Sequence, residues 1–349
     1  MKMPLVHDIK NPKCNLLDVI FIDIDSRETR QELSRNGMKP VNKVLSAIKI
    51  RLIAMFYGID IKYVVDELNN SEELRKAFRF KSTLDYLELS EVFSRFDDCQ
   101  VLEFVLKRLN KEFKKDVRGN RKIIIDSTDI RFRINLEKRY YDDRTLEENG
   151  YEFGFSSSKK KFIGGKLTIA MDYDTCQPLA MLFHPGAVHD SQIYLEILED
   201  LKRRRILKKG DLVLADKGYF SFKNYGSGLM DYKIVPLIRP KKNTRKDRVF
   251  SQFNYPLELC CVETPLKTLY RRLVTKLSKL YDKWDYLKSI RSKIEAFIKF
   301  FKNGVGYEQV PSYTYKSVAK TTYLSVLLAA LIVSKLKPDN KQLQRLAEM

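Results

Sequence analysis

Histidine and cysteine are scarce in this 349-residue chain, with three of the first and five of the second. Cysteines 14, 99, 176, 260 and 261 form no Cys-x-x-Cys pair and have no histidine at matching spacing. That pattern excludes a zinc knuckle and a disulfide framework, and fits reduced thiols in a cytosolic compartment. Glycine (14) and proline (11) are too few for a collagen-like, linker-rich or low-complexity chain. No internal repeat of about 20 to 50 residues is visible. Met1 to Asp25 mixes Lys, Asp and Pro without an apolar h-region, which argues against secretion. The longest uncharged apolar tract, Thr321 to Ser334, is 14 residues long, short of the roughly 20 a membrane span needs, so a buried helix is expected there. There is no Gly-x-Ser-x-Gly elbow, and Gly164-Gly165-Lys166 lacks the earlier Gly of a phosphate-binding loop and is followed by Leu167. Serine hydrolase and P-loop ATPase chemistry are thereby set aside.

Acidic residues are also in deficit: 45 Asp and Glu stand against 65 Lys and Arg, a formal charge of +20. Such an excess favours a polyanionic partner. The basic residues are spread along the chain rather than gathered on one amphipathic helix, so nucleic acid is expected and a membrane surface is not. With 44% hydrophobic and 32% charged residues the chain has a folded composition, and its length allows two or three domains at about 150 residues each.

Residues 1–40 carry few periodic cues and are expected to be a loosely structured lead-in. From Val41 apolar residues recur at helical spacing, as at Leu45, Ile48, Leu52 and Met55, and again at Val101, Phe104, Val105 and Leu109. A helical domain over 41–115 is expected, with breaks at Gly58 and Asn69 to Ser71 that leave room for a helix-turn-helix reader of DNA. After the basic hinge Lys111 to Lys122 the period becomes strand-like. Ile123-Ile124-Ile125 ends on Asp126, and Phe162 to Asp172 and Pro178 to Phe183 form a hairpin about the turn Tyr173 to Cys176. A helix is expected over Ser191 to Arg205 with Asp190 as its cap. The apolar run Leu212 to Ala215 again ends on a carboxylate, Asp216, and a further strand is expected at Tyr232 to Ile238. Helices are expected at Trp284 to Lys302 and Tyr315 to Leu336.

Two apolar strands that each end on Asp would place both carboxylates in the crevice beyond a sheet. Taken singly, an Asp at a strand end is more often a turn residue. The third piece is Arg291-x3-Glu295-x6-Lys302: at about 100° per residue these three fall at about 0°, 40° and 20° on an α-helix, one polar stripe. Ile294, Phe297, Ile298 and Phe301 make the opposite, apolar face.

From about Lys122 to Lys302 these residues resemble the DDE-type transposases of prokaryotic insertion sequences, in the branch with a Tyr-Arg-Glu-Lys signature. Asp126 in Ile-Asp-Ser-Thr-Asp looks like the first catalytic aspartate, Asp216 in Ala-Asp-Lys-Gly-Tyr like the second, and Glu295 takes the third place. The signature Tyr position holds Lys288, with Tyr286 two residues earlier; that Tyr is not a metal ligand in the family, so the departure bears on DNA handling near the cut. The resemblance implies an α/β fold, a ribonuclease-H-like mixed sheet over 120–310 with a β-rich insertion at about 239–282, an all-helical domain before it and a helical segment 311–349 after it. It also implies two divalent ions, Mg²⁺ or Mn²⁺, held by Asp126, Asp216 and Glu295, with Asp126 bridging. Three histidines and isolated cysteines suit zinc poorly, whereas carboxylates suit these hard cations. Arg291, Lys302 and Lys288 would contact phosphates beside the scissile bond, and the basic runs containing Arg203, Arg204, Lys241 and Lys242 would track the DNA backbone. The implied partners are double-stranded DNA carrying terminal inverted repeats, target DNA and a second copy of the chain in a synaptic homodimer, in a cytoplasmic, nucleoid-associated setting. A metal-dependent nuclease with the same carboxylates and a catalytically silent DNA-binding derivative are the alternatives.

Overall fold

The computed structural model describes residues 12–110, 120–132, 153–156, 160–240, 244–253, 264–305, 309–310 and 314–346. Seven helices come first among them: α1 (Pro12–Ile24), α2 (Arg27–Arg35), α3 (Val41–Tyr57), α4 (Ile61–Asn70), α5 (Glu72–Ala77), α6 (Tyr86–Ser94) and α7 (Asp98–Leu109). Strands β1 (Lys122–Phe132), β2 (Phe153–Ser156), β3 (Lys160–Asp172) and β4 (Pro178–Pro185) follow. Then come α8 (Asp190–Arg203), β5 (Leu212–Ala215), a 3₁₀ turn (Lys217–Tyr219), α9 (Phe222–Met230) and β6 (Val235–Ile238). The chain continues through α10 (Lys246–Ser251), α11 (Thr264–Tyr281), α12 (Trp284–Lys299), a π turn (Phe300–Gly304), β7 (Gln309–Val310), α13 (Tyr315–Leu336) and α14 (Asn340–Leu346).

Two compact units result. The first gathers residues 1–109, 131–150 and 299–349, the second 110–130 and 151–298. Helix starts in the first unit follow from short polar side chains that accept orphan backbone N–H groups: Ser26 from Thr29, Asp60 from Lys62, Ser71 from Leu74, and Asp85 from Leu87 and Glu88. Gly58, at φ 62°, ends α3 in the left-handed conformation that glycine tolerates best. The core of this unit forms where α13 packs on α7 and α3. Helix α13 is long and apolar enough to cross a membrane by length and composition, yet Val318 through Val333 are buried here except Thr321, as a core helix requires.

Among the described residues of this first unit, Lys49, Arg51 and Lys320 are buried basic side chains. Lys49 reaches Asp25 at 2.9 Å and the carbonyl of Arg79 at 3.0 Å, lying against the Phe21 and Phe80 rings. Lys320 donates to the carbonyls of Phe93 at 3.1 Å and Phe96 at 2.9 Å, satisfying backbone acceptors at and beyond the end of α6.

The second unit is built on a mixed sheet in the order β2-β3-β1-β5-β6, with β4 also pairing β3. Strands β1, β5 and β6 are parallel, and β3 and β4 form the expected antiparallel hairpin with Ile169 opposite Met181. Helix α8 packs on β4, while α9 and α11 pack on β6. Beyond Ile130, Arg131 and Phe132 pair with β7 in the first unit.

Several expectations are corrected. Residues 12–35 are two helices rather than a loose lead-in: Leu17, Ile20, Phe21 and Ile24 do have helical spacing and are fully buried, while exposed Val19 and Ile22 blur the pattern. Strand β1 runs six residues past Asp126. The expected β-rich insertion contains α10 and α11; Tyr270, Leu273 and Leu277 bury one helical face, and residues 254–263 lie outside the described ones. The cap of α8 is His189, whose Nδ1 accepts from the Ser191 amide, and Asp190 is the first helical residue. The α-helical part of the Trp284 helix stops at Lys299, where π hydrogen bonding takes over.

Candidate active site

The last paired rung between β1 and β5 is Ile125 opposite Ala215. Asp126 and Asp216 are the next residues on each strand, so the parallel register delivers both carboxylates to the same end of the sheet. Beyond that rung the two chains part: β1 continues as strand, whereas the chain after Ala215 bends into the 3₁₀ turn. Gly218 in that turn packs close to α8: a Cβ there would lie 2.9 Å from Oδ2 of Asp190, so that carboxylate would have to shift. Lys166 steadies the same Asp190 carboxylate at 3.4 Å.

Helix α12 supplies Arg291 and Glu295, one turn apart on one face. The Arg291 guanidinium touches all three candidate carboxylates: Nη2 lies 3.1 Å from Oδ2 of Asp126 and 3.3 Å from Oε1 of Glu295, and Nη1 lies 3.3 Å from Oδ1 of Asp216. The four side chains differ sharply in burial, with Arg291 12% exposed, Asp126 17%, Asp216 31% and Glu295 59%.

Burial pushes the Asp126 carboxyl up to about 6, against the pull of Arg291 and the Ser127 amide in the other direction. For Arg291, burial pulls downward, but Asp126, Asp216 and Glu295 together hold the guanidinium above its ordinary value. Oδ1 of Asp216 and Nε of Arg291 are buried without a hydrogen bond. An under-satisfied cluster of hard oxygen donors is chemically suited to a divalent cation. Among the described residues no three His, Cys, Asp or Glu side chains stand ready around a common point, and in this cluster the guanidinium lies among the oxygens. The donor set therefore fits a metal, on condition that Arg291 swings aside.

Residues 118–332, more than half of the chain, match the family model described as a transposase DDE domain. The chain belongs to the DDE transposase family. No curated protein matches it. The match to this transposase domain runs on into α13, past the end at residue 310 expected from the sequence.

Other residues singled out in the transposase sequence are dispersed. Arg203 and Arg204 lie at the C-terminal end of α8, where both reach Asp200; Arg204, at 10% exposure, holds both of its oxygens. Lys302 falls in the π turn of the first unit, where the α-helical projection no longer applies. Lys288 is on α12, with its side chain outside the described residues, as are Lys241 and Lys242 altogether. Sequence reading passed over Ser127, Thr168 and Tyr219, which with His184 form a second set in this transposase. Ser127 stands next to Asp126 and shares a hydrogen bond with the Tyr219 hydroxyl, and Tyr219 closes the Asp216-Lys-Gly-Tyr turn. Their adjacency to both aspartates was the available signal.

Proposed function

We propose that this DDE transposase serves a prokaryotic insertion sequence of the Tyr-Arg-Glu-Lys branch, cutting DNA at the element ends and joining the freed ends to target DNA. What carries the reading is the meeting of Asp126, Asp216 and Glu295 on one guanidinium in a chain of this family. Asp126, Asp216 and Glu295 would hold two divalent cations, Mg²⁺ or Mn²⁺, with Asp126 shared, and bound ions of this kind supply Lewis acidity at a phosphodiester. Water attacks the phosphorus at the element end, and the 3′ oxygen leaves to become a 3′-hydroxyl. That hydroxyl then attacks a target phosphodiester and displaces the target strand's 3′ oxygen, so no covalent protein intermediate forms. Arg291, drawn off the carboxylates by a phosphate, would bind the backbone beside the scissile bond, as would Lys288 and Lys302. Arg203, Lys241 and Lys242 are proposed to follow the DNA backbone, and a homodimer to synapse two ends bearing inverted repeats. Acting on chromosomal DNA, the protein would work in the cytoplasm at the nucleoid.

A labelled duplex carrying the DNA that flanks the gene tests the reading. Wild-type protein with Mg²⁺ or Mn²⁺ is expected to cut at defined ends, and Glu295→Ala is expected to bind the duplex without cutting. Cutting at unrelated positions would identify a nuclease, and binding without cutting by the wild type a silent derivative; either result rejects transposition.

A further inference from the structure

Behind the carboxylates lies a polar relay through Tyr219, Ser127, Thr168 and His184. Tyr219 is 1% exposed and His184 6%. His184 Nδ1 is 3.1 Å from the carbonyl of Pro185, which can only accept, so that nitrogen carries the proton. Burial disfavours the imidazolium, leaving Nε2 as an acceptor. Thr168 Oγ1, 2.9 Å away, therefore donates to Nε2. With its single proton so placed, Thr168 can only accept from Ser127 Oγ at 2.7 Å and from the Tyr219 hydroxyl, which bonds to both Ser127 and Thr168.

This relay ties together the two segments that separate after the Ile125 to Ala215 rung. Ser127 follows Asp126, and its amide donates to Oδ1 of that carboxylate at 2.9 Å. Tyr219 sits three residues after Asp216, its ring packed 6.2 Å from that of Tyr194 on α8. The guanidinium of Arg291 also bridges the two segments, but as a long side chain from a third element.

We propose that Tyr219 is a positioning residue: its hydrogen bond to Ser127 sets the separation of Asp126 and Asp216, with Thr168 and His184 holding the two hydroxyls in place. The inference rests on the catalytic reading above, because the separation matters only if both carboxylates hold metal. It gives the transposase a spacing device that remains in place when Arg291 leaves the carboxylates.

The test is Mn²⁺ binding to the full chain without DNA, followed by calorimetry or by the paramagnetic resonance of free Mn²⁺, alongside DNA cleavage as a function of Mg²⁺. Tyr219→Phe keeps the ring and removes the hydroxyl. It is expected to weaken Mn²⁺ binding by about three- to ten-fold, the factor of one net hydrogen bond. The Mg²⁺ concentration for half-maximal cleavage should rise to match, with DNA affinity unchanged. Thr168→Val breaks the same relay away from both aspartates and should show the same loss, while Thr168→Ser should restore wild-type binding. Wild-type Mn²⁺ affinity in either Tyr219→Phe or Thr168→Val would overturn the proposal. If the wild type itself neither binds Mn²⁺ nor cuts, and Asp126→Ala changes nothing, the catalytic reading fails and the spacing role falls with it.

Discussion

Replacing Arg291 by Met removes the guanidinium that touches Asp126, Asp216 and Glu295 while keeping a side chain of comparable length. The three contacts are unequal. Glu295 is 59% exposed, and an i to i+4 pair in that setting is worth about 0.3–0.5 kcal/mol. Asp126 and Arg291 are both mostly buried, and stripping a buried carboxylate of its partner costs about 3–5 kcal/mol. That cost applies only while Asp126 is charged. Its folded value, about 6, stands above the ordinary 3.8, so its contribution to stability is fully present below about pH 4 and is lost as pH rises through about 6. The difference of roughly two units corresponds to about 3 kcal/mol in the wild type. Without Arg291 the folded value rises further, and the loss extends to higher pH. Urea denaturation in metal-free buffer should therefore show Arg291→Met destabilised by about 3–5 kcal/mol at pH 8 and by about 1 kcal/mol or less at pH 5. Adding Asp126→Asn to Arg291→Met should recover most of the pH 8 loss. An equal loss at pH 5 and pH 8, or no recovery in the double variant, would refute the account.

Two further outcomes follow from packing. Lys320→Met in the first unit retains the aliphatic stem but leaves the Phe93 and Phe96 carbonyls without their donor, so a loss of about 2 kcal/mol is expected in chemical denaturation; wild-type stability would show that water replaces the ammonium. Gly218→Ala sets a methyl against the Asp190 carboxylate and should displace the turn that begins at Asp216, costing about 1–3 kcal/mol and lowering cleavage with DNA binding retained. A variant with full cleavage would mean that Asp190 moves aside freely.

Local chemistry made much of the second unit legible. The Phe162 to Asp172 hairpin, the two Asp-terminated apolar runs and the Arg291-to-Glu295 spacing are all properties of neighbouring residues, and each is recovered in the structure. What could not be read was set by partners distant in sequence. The Ile125 to Ala215 register spans ninety residues, and the convergence on Arg291 needs a third segment. The strand past Asp126 carries Ser127, Thr128 and Asp129, a polar run that reads as a turn, although β1 continues through it to pair with β7 at Arg131 and Phe132. In α11 the Leu and Tyr spacing was helical all along, but the aromatic and β-branched residues just before it suggested strands. The π turn at Phe300 has no simple local signature, and it ends the α-helical phase on which the placement of Lys302 depended.

Asp126 stands inside a continuous strand, with backbone structure on both sides, whereas Asp216 stands at the mouth of a turn and Glu295 on a largely exposed helical face. The three carboxylates thus differ in compliance. One is a datum whose coordinates are inherited from the sheet, and the other two, on the proposed catalytic reading, would be adjustable jaws that follow a phosphate as its geometry changes along a reaction. Amide exchange should grade accordingly, slowest at Asp126 and faster at Lys217 and Gly218. Adaptation to a new DNA substrate would then be absorbed by the turn and the helix, leaving the strand as the fixed standard of the site.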